Sequence, residues 1–313
     1  MEKLIVSSSP HIHAKATTTS IMRDVLIALA PASIAGVVLF GLKALAVILV
    51  CVASAVIAEL VFNLLAKKEQ TVGDLSAAVT GLILALCLPT TVELWQCALG
   101  SVFAIVFVKC VFGGLGCNFA NPAATARVFL LLAFATTAGG GAPTRFMSAD
   151  LVASATPLEA IKTGSTAVLP SLTDMLVGNR AGAIGETCAI ALLIGGIYLI
   201  ARRIIHWQIP AIYVATVFVL SFLIKQDVTL ALYEMLGGGL LIAAFFMITD
   251  YVSTPINKGG KMLFAFGCGL ITVLIRFWGG YPEGVSFAIL LMNILTPYIE
   301  KLCTKKPFGK VGK

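Results

Sequence analysis

Long apolar runs alternate with short polar breaks along almost the whole chain. An apolar segment of about 17–25 residues is long enough to cross a bilayer as a helix. The pattern predicts ten spans, five on each side of one long polar segment, and the third is unusually short. They cover about residues 24–41, 43–66, 75–88, 94–112, 122–137, 183–200, 209–224, 228–249, 261–278 and 285–299.

The long polar segment, residues 139–182, is rich in Gly, Ser and Thr. A loop of this length is uncommon unless it has a function of its own. We therefore divide the chain into a cytoplasmic N-terminal segment, a first five-helix unit, an extracytoplasmic loop, a second five-helix unit and a basic cytoplasmic tail. These parts are residues 1–23, 24–138, 139–182, 183–300 and 301–313.

Composition supports a membrane protein. Hydrophobic residues make up 59% of the chain and charged residues only 12%, whereas soluble domains average about 25% charged residues. Spans of this length predict helices, because unpaired backbone groups are not tolerated in lipid. We predict an all-α polytopic membrane protein in contact with the lipid bilayer. The net charge of +7 does not indicate nucleic-acid binding, because no stripe of Lys and Arg is interleaved with aromatic residues.

The distribution of Lys and Arg predicts the orientation. Cytoplasmic segments of membrane proteins carry an excess of these residues. With a cytoplasmic N-terminus, fifteen of the twenty-two Lys and Arg residues fall on the inner side and seven on the outer side. Both termini are therefore predicted to be cytoplasmic, and the loop 139–182 to lie outside.

Five spans in each half predict two repeats of opposite orientation, because an odd number of spans inverts the second copy. Shifts along the sequence support this hypothesis. A shift of 167 residues places Gly100 on Gly267, Lys109 on Arg276 and Gly113 on Gly280, and a shift of 158 residues places Gly81 on Gly239.

Several ionisable residues fall at membrane depth, where charge is costly and normally serves a function. Glu59 and Glu234 are candidates to line an ion path. Lys109 and Arg276 end apolar runs, so we expect both to reach the interface by extending their side chains. Asp250 ends the eighth span and is expected to organise the following loop.

Two polar positions near helix starts have two interpretations each. Asp74 opens the short third span, where an acidic residue either caps the helix or belongs to a broken-helix ligand site. Asn121 ends a glycine-rich turn, residues 113–122, and residues 279–284 form a similar turn in the second half. The two turns indicate either a central binding site or tight connections between helices.

Thr156 precedes a proline in the polar loop. On its own this pattern is typical of an ordinary loop threonine that the proline holds extended. The small neighbours Ser154 and Ala155 leave space, and we expect an accessible hydroxyl. These features permit a covalent attachment without requiring one.

Taken together, the motifs resemble a known family. The residues that carry the resemblance are 74–82 with Leu88 and Pro89, 121–123, 247–255, and 274–276 with 279–285. Over nearly the whole chain they are similar to the family that includes the D subunit of the Rnf electron-transport complex and the B subunit of the sodium-translocating NADH:quinone oxidoreductase.

The resemblance implies a covalent flavin mononucleotide (FMN), attached through its phosphate to a threonine in an Asp-x-x-Ser-Gly-Ala-Thr-like stretch. Asp150, Ala155 and Thr156 match this stretch, whereas Ala153 and Ser154 replace the usual serine and glycine. Thr156 is therefore the expected attachment site, and Asp150, Ser154 and Ala155 belong to its motif. Asp74 and Asn121 remain flavin-binding or structural candidates.

The resemblance further implies a non-covalent riboflavin between the helices. It implies electron transfer from reduced ferredoxin towards NAD, coupled to export of Na⁺ or H⁺, with activity only in a complex with the A, B, C, E and G subunits. The expected location is a bacterial or archaeal plasma membrane. The inverted repeats and short spans also allow a different function, that of a secondary transporter or channel-like protein.

Overall fold

The apolar runs fold into helices in the computed structural model, which describes residues 17–144, 156–164 and 169–304. The helices before the polar loop are α1 (Thr18–Phe40), α2 (Leu42–Leu65), α3 (Ser76–Leu86), α4 (Leu94–Phe103), α5 (Pro122–Ala133) and α6 (Ala135–Ala138). Helix α4 continues as a π-helix over Ala104–Cys110.

The later helices are α7 (Pro157–Thr163), α8 (Leu172–Val177), α9 (Ala189–Ala201), α10 (Gln208–Lys225), α11 (Val228–Leu236), α12 (Leu240–Ile242), α13 (Lys258–Trp278) and α14 (Val285–Cys303). Helix α12 continues as a π-helix over Ala243–Met247. Helices α7 and α8 lie in the polar loop, and a bridge between Ala142 and Gly182 brings the two ends of that loop together.

Local sequence sets several helix ends. The Thr17 side chain accepts a hydrogen bond from Ser20 N and starts α1. Gly41 separates α1 from α2 with φ of 79°, a left-handed conformation that glycine adopts at no steric cost. The Asn121 side chain caps α5, and Pro122 occupies the first turn, where its missing N–H costs nothing.

The chain is an all-α polytopic membrane protein, as predicted. Within the described residues, α1, α2, α10, α13 and α14 are long and apolar enough to cross a membrane, and the broken pair α11–α12 would make a sixth span. The number of ten spans is not confirmed, because α3, α5 and α9 are shorter and α4 reaches only 17 residues with its π-helical end.

The predicted span 228–249 is broken in the structure. It bends by 61° between Leu236 and Leu240. Gly238 and Gly239 have φ of 64° and 67°, and glycine is the residue that takes such angles readily. The bend opens the backbone of this span in the interior of the protein.

The two halves use equivalent helix contacts. Helix α2 packs against α3 and α4, and α10 packs in the same way against α11 and α13. Across the halves, the first helices α1 and α9 pack together, as do the fifth helices α5 and α14. An internal repeat predicts this pairing of corresponding helices.

Gly195 allows the close approach of α9 to α1, and we expect Gly195→Ala to destabilise this contact. A Cβ atom added at Gly195 would overlap Ala28 O, so the two helices must move apart at a cost of about 1–3 kcal/mol. Thermal unfolding in detergent measures the loss. Gly259→Ala is the matched control, because a Cβ atom there meets nothing within 4 Å. An equal loss in both variants would contradict the explanation.

Candidate functional site

A polar cluster in the first half surrounds Lys109, which lies in the π-helical end of α4. Lys109 is only 2% exposed. Its Nζ donates to Glu59 Oε1 at 2.7 Å and to Ser76 Oγ at 2.5 Å. The expectation that Lys109 extends to the interface is wrong, because a buried carboxylate and a buried hydroxyl already bind its ammonium group. We call Glu59, Asn63, Thr71, Asp74, Ser76 and Lys109 the Lys109 cluster.

The remaining hydrogen bonds of this cluster position the Glu59 carboxylate. Thr71 Oγ1 donates to Glu59 Oε1 at 2.7 Å, and Asn63 Nδ2 donates to Thr71 Oγ1 at 3.0 Å. Glu59 Oε2 is buried, and no hydrogen-bond donor among the described residues reaches it. One oxygen of the carboxylate is therefore shared by two donors, while the other is free.

Asp74 contacts the start of α3. Its Oδ1 accepts hydrogen bonds from Ser76 N at 2.7 Å and from Ser76 Oγ at 2.5 Å. The carboxylate thereby satisfies backbone and side chain at the start of α3, as expected for a residue at a helix N-terminus.

In the second half, Arg276 of α13 holds the break between α11 and α12. Its Nη1 donates to Glu234 Oε2 at 3.0 Å and Glu234 O at 2.5 Å. Its Nη2 donates to Gly237 O at 3.1 Å and to Gly238 O at 3.5 Å. Arg276 is 3% exposed, so the expectation that it reaches the interface is wrong too. The backbone carbonyl groups at the bend accept hydrogen bonds from Arg276 and keep its side chain buried.

Two residues that the sequence analysis did not single out, Arg180 and Glu186, also bind backbone groups at this break. Arg180 Nη2 donates to Leu236 O at 2.8 Å and to Glu186 O at 2.9 Å. Glu186 Oε1 accepts from Gly238 N at 2.8 Å. Burial lowers the pKa of the Arg180 guanidinium, and the nearby Glu186 carboxylate opposes this shift. Arg180 ends the polar loop, which is why charge counting alone treats it as an exposed loop residue.

The two clusters correspond under the sequence repeat. The same shifts of 167 and 158 residues place Lys109 on Arg276 and Ser76 on Glu234, and each cation contacts its partner. The carboxylate differs, since Glu59 from α2 supplies it in the first half. This correspondence supports the internal repeat. It also shows a difference between the two predicted ion-path residues, because the Glu234 carboxylate binds Arg276, whereas one oxygen of Glu59 has no donor among the described residues.

Thr156 lies at the N-terminus of α7. Its Oγ1 accepts a hydrogen bond from Glu159 N at 3.3 Å, and the residue is only 4% exposed. A Cβ atom added at Gly141 would lie 2.6 Å from Thr156 Cγ2, so the threonine methyl fills the space beside that glycine. The expectation of an accessible residue is therefore wrong. Asp150, Ser154 and Ala155 lie outside the described residues.

Helix α7 fixes Thr156 relative to two elements of the second half. The Leu158 side chain occupies the space that a Cβ atom at Gly238 would need. Lys162 Nζ donates to Gly279 O at 2.5 Å and to Tyr281 O at 3.2 Å. Thr156 is thus tied to the α11–α12 break and to the turn before α14.

These two elements also line a small cavity. Its volume is about 30 Å³, and Arg127, Glu186, Gly239 and Glu283 are among its lining residues. Arg127 Nη2 donates to Glu283 Oε2 at 3.0 Å. The cavity has room for about one water molecule.

A larger inner cavity of about 110 Å³ lies between the two halves. Its walls are mostly apolar, with a few polar groups. The lining includes Val79, Thr80, Ile83, Asn118, Asn121, Phe245, Phe246 and Asp250, together with Ser76 and Lys109 of the Lys109 cluster. An apolar cavity with a few polar groups is typical of small-molecule sites.

Asn121 and Asp250, which both line this cavity, have structural contacts. Asn121 Oδ1 accepts from Ala123 N and Ala124 N, and its Nδ2 donates to Met247 O at 3.2 Å. Asp250 Oδ2 accepts from Ser253 Oγ at 2.7 Å, which confirms that it organises the following loop. Asn121 thereby joins α5 to the π-helix of the second half.

Comparisons with known proteins agree over nearly the whole chain. The model of the NQR2, RnfD, RnfE family matches residues 5–309. The D subunit of the Na(+)-translocating ferredoxin:NAD(+) oxidoreductase complex of Acetobacterium woodii is 50% identical, with 98% of this chain and 95% of that protein covered. Its proton-translocating counterpart from Clostridium ljungdahlii is 39% identical, with 97% and 96% covered. The D subunit of the ion-translocating oxidoreductase complex of Halorhodospira halophila is 36% identical, with 97% and 95% covered.

Proposed function

Because the chain belongs to the NQR2, RnfD, RnfE family, we propose that it is the D subunit of an ion-translocating ferredoxin:NAD⁺ oxidoreductase complex. The observation that carries this proposal is full-length similarity to D subunits of such complexes. The chain then contributes to an oxidoreductase and translocase only within the complex, with the A, B, C, E and G subunits as partners.

We propose Thr156 as the site of covalently bound FMN. Within the described ranges its hydroxyl accepts one hydrogen bond and donates none, so replacing the hydroxyl hydrogen by a phosphoester loses no observed contact. The missing side chain of Gly141 makes room for the Thr156 methyl group. Bound FMN supplies one-electron and two-electron transfer chemistry. Asp150, Ser154 and Ala155 would form the recognition motif for attachment.

We propose the inner cavity for the non-covalent riboflavin. The apolar walls, including Val79 and Phe246, suit the faces of a heteroaromatic ring, and Thr80 and Asn118 offer polar groups at its edge. Asn121 also lines this cavity, whereas Asp74 is not among its lining residues. We therefore keep Asn121 as a candidate flavin contact and assign Asp74 to the start of α3.

The proposed orientation follows from charge counting. Both termini would lie in the cytoplasm of a bacterial or archaeal cell, with the Thr156 loop outside the plasma membrane. The Lys109 cluster and the inner cavity would then lie towards the cytoplasmic side.

For the coupled ion, Glu59 is the better of the two candidate path residues. Its Oε2 has no partner among the described residues, whereas the Glu234 carboxylate is bound to Arg276. Ion transport by the complex should therefore fall strongly in a Glu59→Gln variant with intact flavins. Normal transport in that variant would exclude Glu59 from the path.

The flavin assignment can be tested on a denaturing gel. The full chain, produced together with the flavin-attaching enzyme, should give a fluorescent band under ultraviolet light, because only a covalent flavin remains after denaturation. A dark band would contradict this part of the proposal.

A secondary transporter is the alternative function. The bend between α11 and α12 favours it, because broken helices form ion sites in several transporters. However, guanidinium groups already satisfy carbonyls of this break. Solute flux into liposomes that contain this chain alone would support the alternative.

A further inference from the structure

Lys and Arg side chains are used differently at the two ends of the second helix unit. Helix α9 begins directly after the polar loop, and α13 ends at the turn that Lys162 of that loop binds. At this end, Arg180 and Arg276 are buried and bound to backbone carbonyl groups. At the opposite end, where α9 ends and α13 begins, three basic residues form no ion pair with any described residue. They are Arg203, Lys258 and Lys261.

Tyr251 connects the two segments that carry these basic residues. Its hydroxyl donates a hydrogen bond to Ile204 O, directly after Arg203 in the turn that follows α9. The Lys261 Nζ lies 5.9 Å from the centre of the Tyr251 ring. Lys258 is three residues before Lys261 in α13, so the two lysines lie on the same side of that helix. We call Arg203, Tyr251, Lys258 and Lys261 the basic surface.

The carboxylates near the basic surface have partners of their own. Asp24 binds Arg202 at 3.0 Å, Asp250 accepts hydrogen bonds within its own loop, and Glu300 accepts from Ile256 N at 2.9 Å. None of these contacts involves the basic surface, whose positive charge is therefore available to an external anion. A phosphate group suits it, because Lys and Arg form strong charge-assisted hydrogen bonds with phosphate oxygens.

Exposed apolar side chains beside the basic surface favour a lipid as the source of this phosphate. Trp207 is 61% exposed directly before α10, and Ile256 is 81% exposed directly before the start of α13. Leu263 is exposed in the first turns of α13. Trp and Tyr are enriched where a membrane meets water, and α10 and α13 are both long enough to span it. Cations next to exposed apolar side chains match a charged headgroup attached to acyl chains.

We propose that the basic surface binds the phosphate of an anionic phospholipid. Arg203 and Lys261 donate to the phosphate oxygens, Lys258 adds positive charge, and the acyl chains lie along exposed apolar side chains such as Leu263. Basic pockets between membrane helices bind anionic lipid headgroups in the same way. The binding is non-covalent and does not depend on the proposed electron transfer.

Native mass spectrometry of the full chain in detergent, titrated with phosphatidylglycerol, tests the site. Each Lys or Arg near an anionic lipid surface strengthens binding about fivefold. We therefore expect Arg203→Gln and Lys261→Gln each to raise the Kd of the first bound phosphatidylglycerol about fivefold, and the double variant to raise it about 25-fold. Lys261→Arg keeps the charge and should bind like the unchanged chain. Phosphatidylcholine, whose phosphate is neutralised by choline, should bind more weakly than phosphatidylglycerol.

Lys43→Gln is the matched control. Lys43 is exposed at the start of α2, and the preceding helix ends with Leu39 beside Gly178 of the polar loop, so this lysine lies far from the basic surface. Its removal should leave the Kd unchanged. Thermal unfolding verifies that each variant is folded. Should the half-buried Lys261 prove necessary for folding, the exposed Lys258 provides a second variant, and Lys258→Gln should also raise the Kd.

Three results would overturn the proposal. The first is an equal Kd for phosphatidylglycerol and phosphatidylcholine, or an unchanged Kd in the folded double variant. The second is displacement of phosphatidylglycerol by inorganic phosphate, which would show a site for free phosphate. The third is loss of partner subunits from the assembled complex of the double variant while its lipid binding is unchanged, which would show a surface for an acidic protein.

Discussion

Thr156→Ala is expected to abolish covalent flavin fluorescence of this chain on a denaturing gel. Alanine has no hydroxyl group, so the phosphoester to FMN cannot form. The substitution also removes the cap that Thr156 Oγ1 provides to Glu159 N, which should cost about 1 kcal/mol. That loss is too small to unfold a membrane domain whose helices pack elsewhere. Gel fluorescence and thermal unfolding therefore separate attachment from stability.

Thr163→Ala is the matched control for this prediction. It removes the same side chain from the other end of α7, where Thr163 Oγ1 donates to Glu159 O at 2.9 Å. Its fluorescence should equal that of the unchanged chain. If Thr156→Ala still fluoresces, another residue carries the flavin; if both variants are dark, folding of α7 rather than the hydroxyl of Thr156 limits attachment.

Hydropathy predicts the long helices well because lipid imposes a strong and local requirement. The predicted spans 43–66 and 285–299 lie close to α2 and α14. Hydropathy does not show which carboxylate a buried lysine or arginine binds. Lys109 and Glu59 are 50 residues apart, and a cation that ends an apolar run gives the same signal whether it reaches the interface or binds a distant carboxylate.

The bend after α11 was not predictable for a similar reason. Glycines within an apolar run are compatible with a continuous membrane helix, so the run 228–249 reads as one span. Its opened carbonyls are stabilised by Arg180 and Arg276, which come from the polar loop and from α13. Caps are different, because Asp74 and Asn121 bind backbone groups within three residues, and the sequence shows such neighbours directly.

Arg276→Met is expected to produce the largest loss of stability, about 3–5 kcal/mol, because it leaves buried charge and carbonyl groups without partners. Four acceptor atoms from Glu234, Gly237 and Gly238 bind this guanidinium. Methionine preserves much of the side-chain volume and removes the donors. Unfolding of the purified chain in detergent with increasing denaturant, followed by circular dichroism, measures the change.

Two further variants identify the cause of that loss. Arg23→Met removes an exposed arginine of α1 that forms no ion pair among the described residues, and it should leave stability nearly unchanged. Arg276→Lys keeps the charge but cannot present two donor nitrogens in a fixed plane, so it should fall between Arg276→Met and the unchanged chain. If Arg276→Lys is as stable as the unchanged chain, charge alone holds the bend. If Arg276→Met is stable as well, the α11–α12 break does not depend on this residue, and its carbonyls are available to an ion as in the transporter alternative.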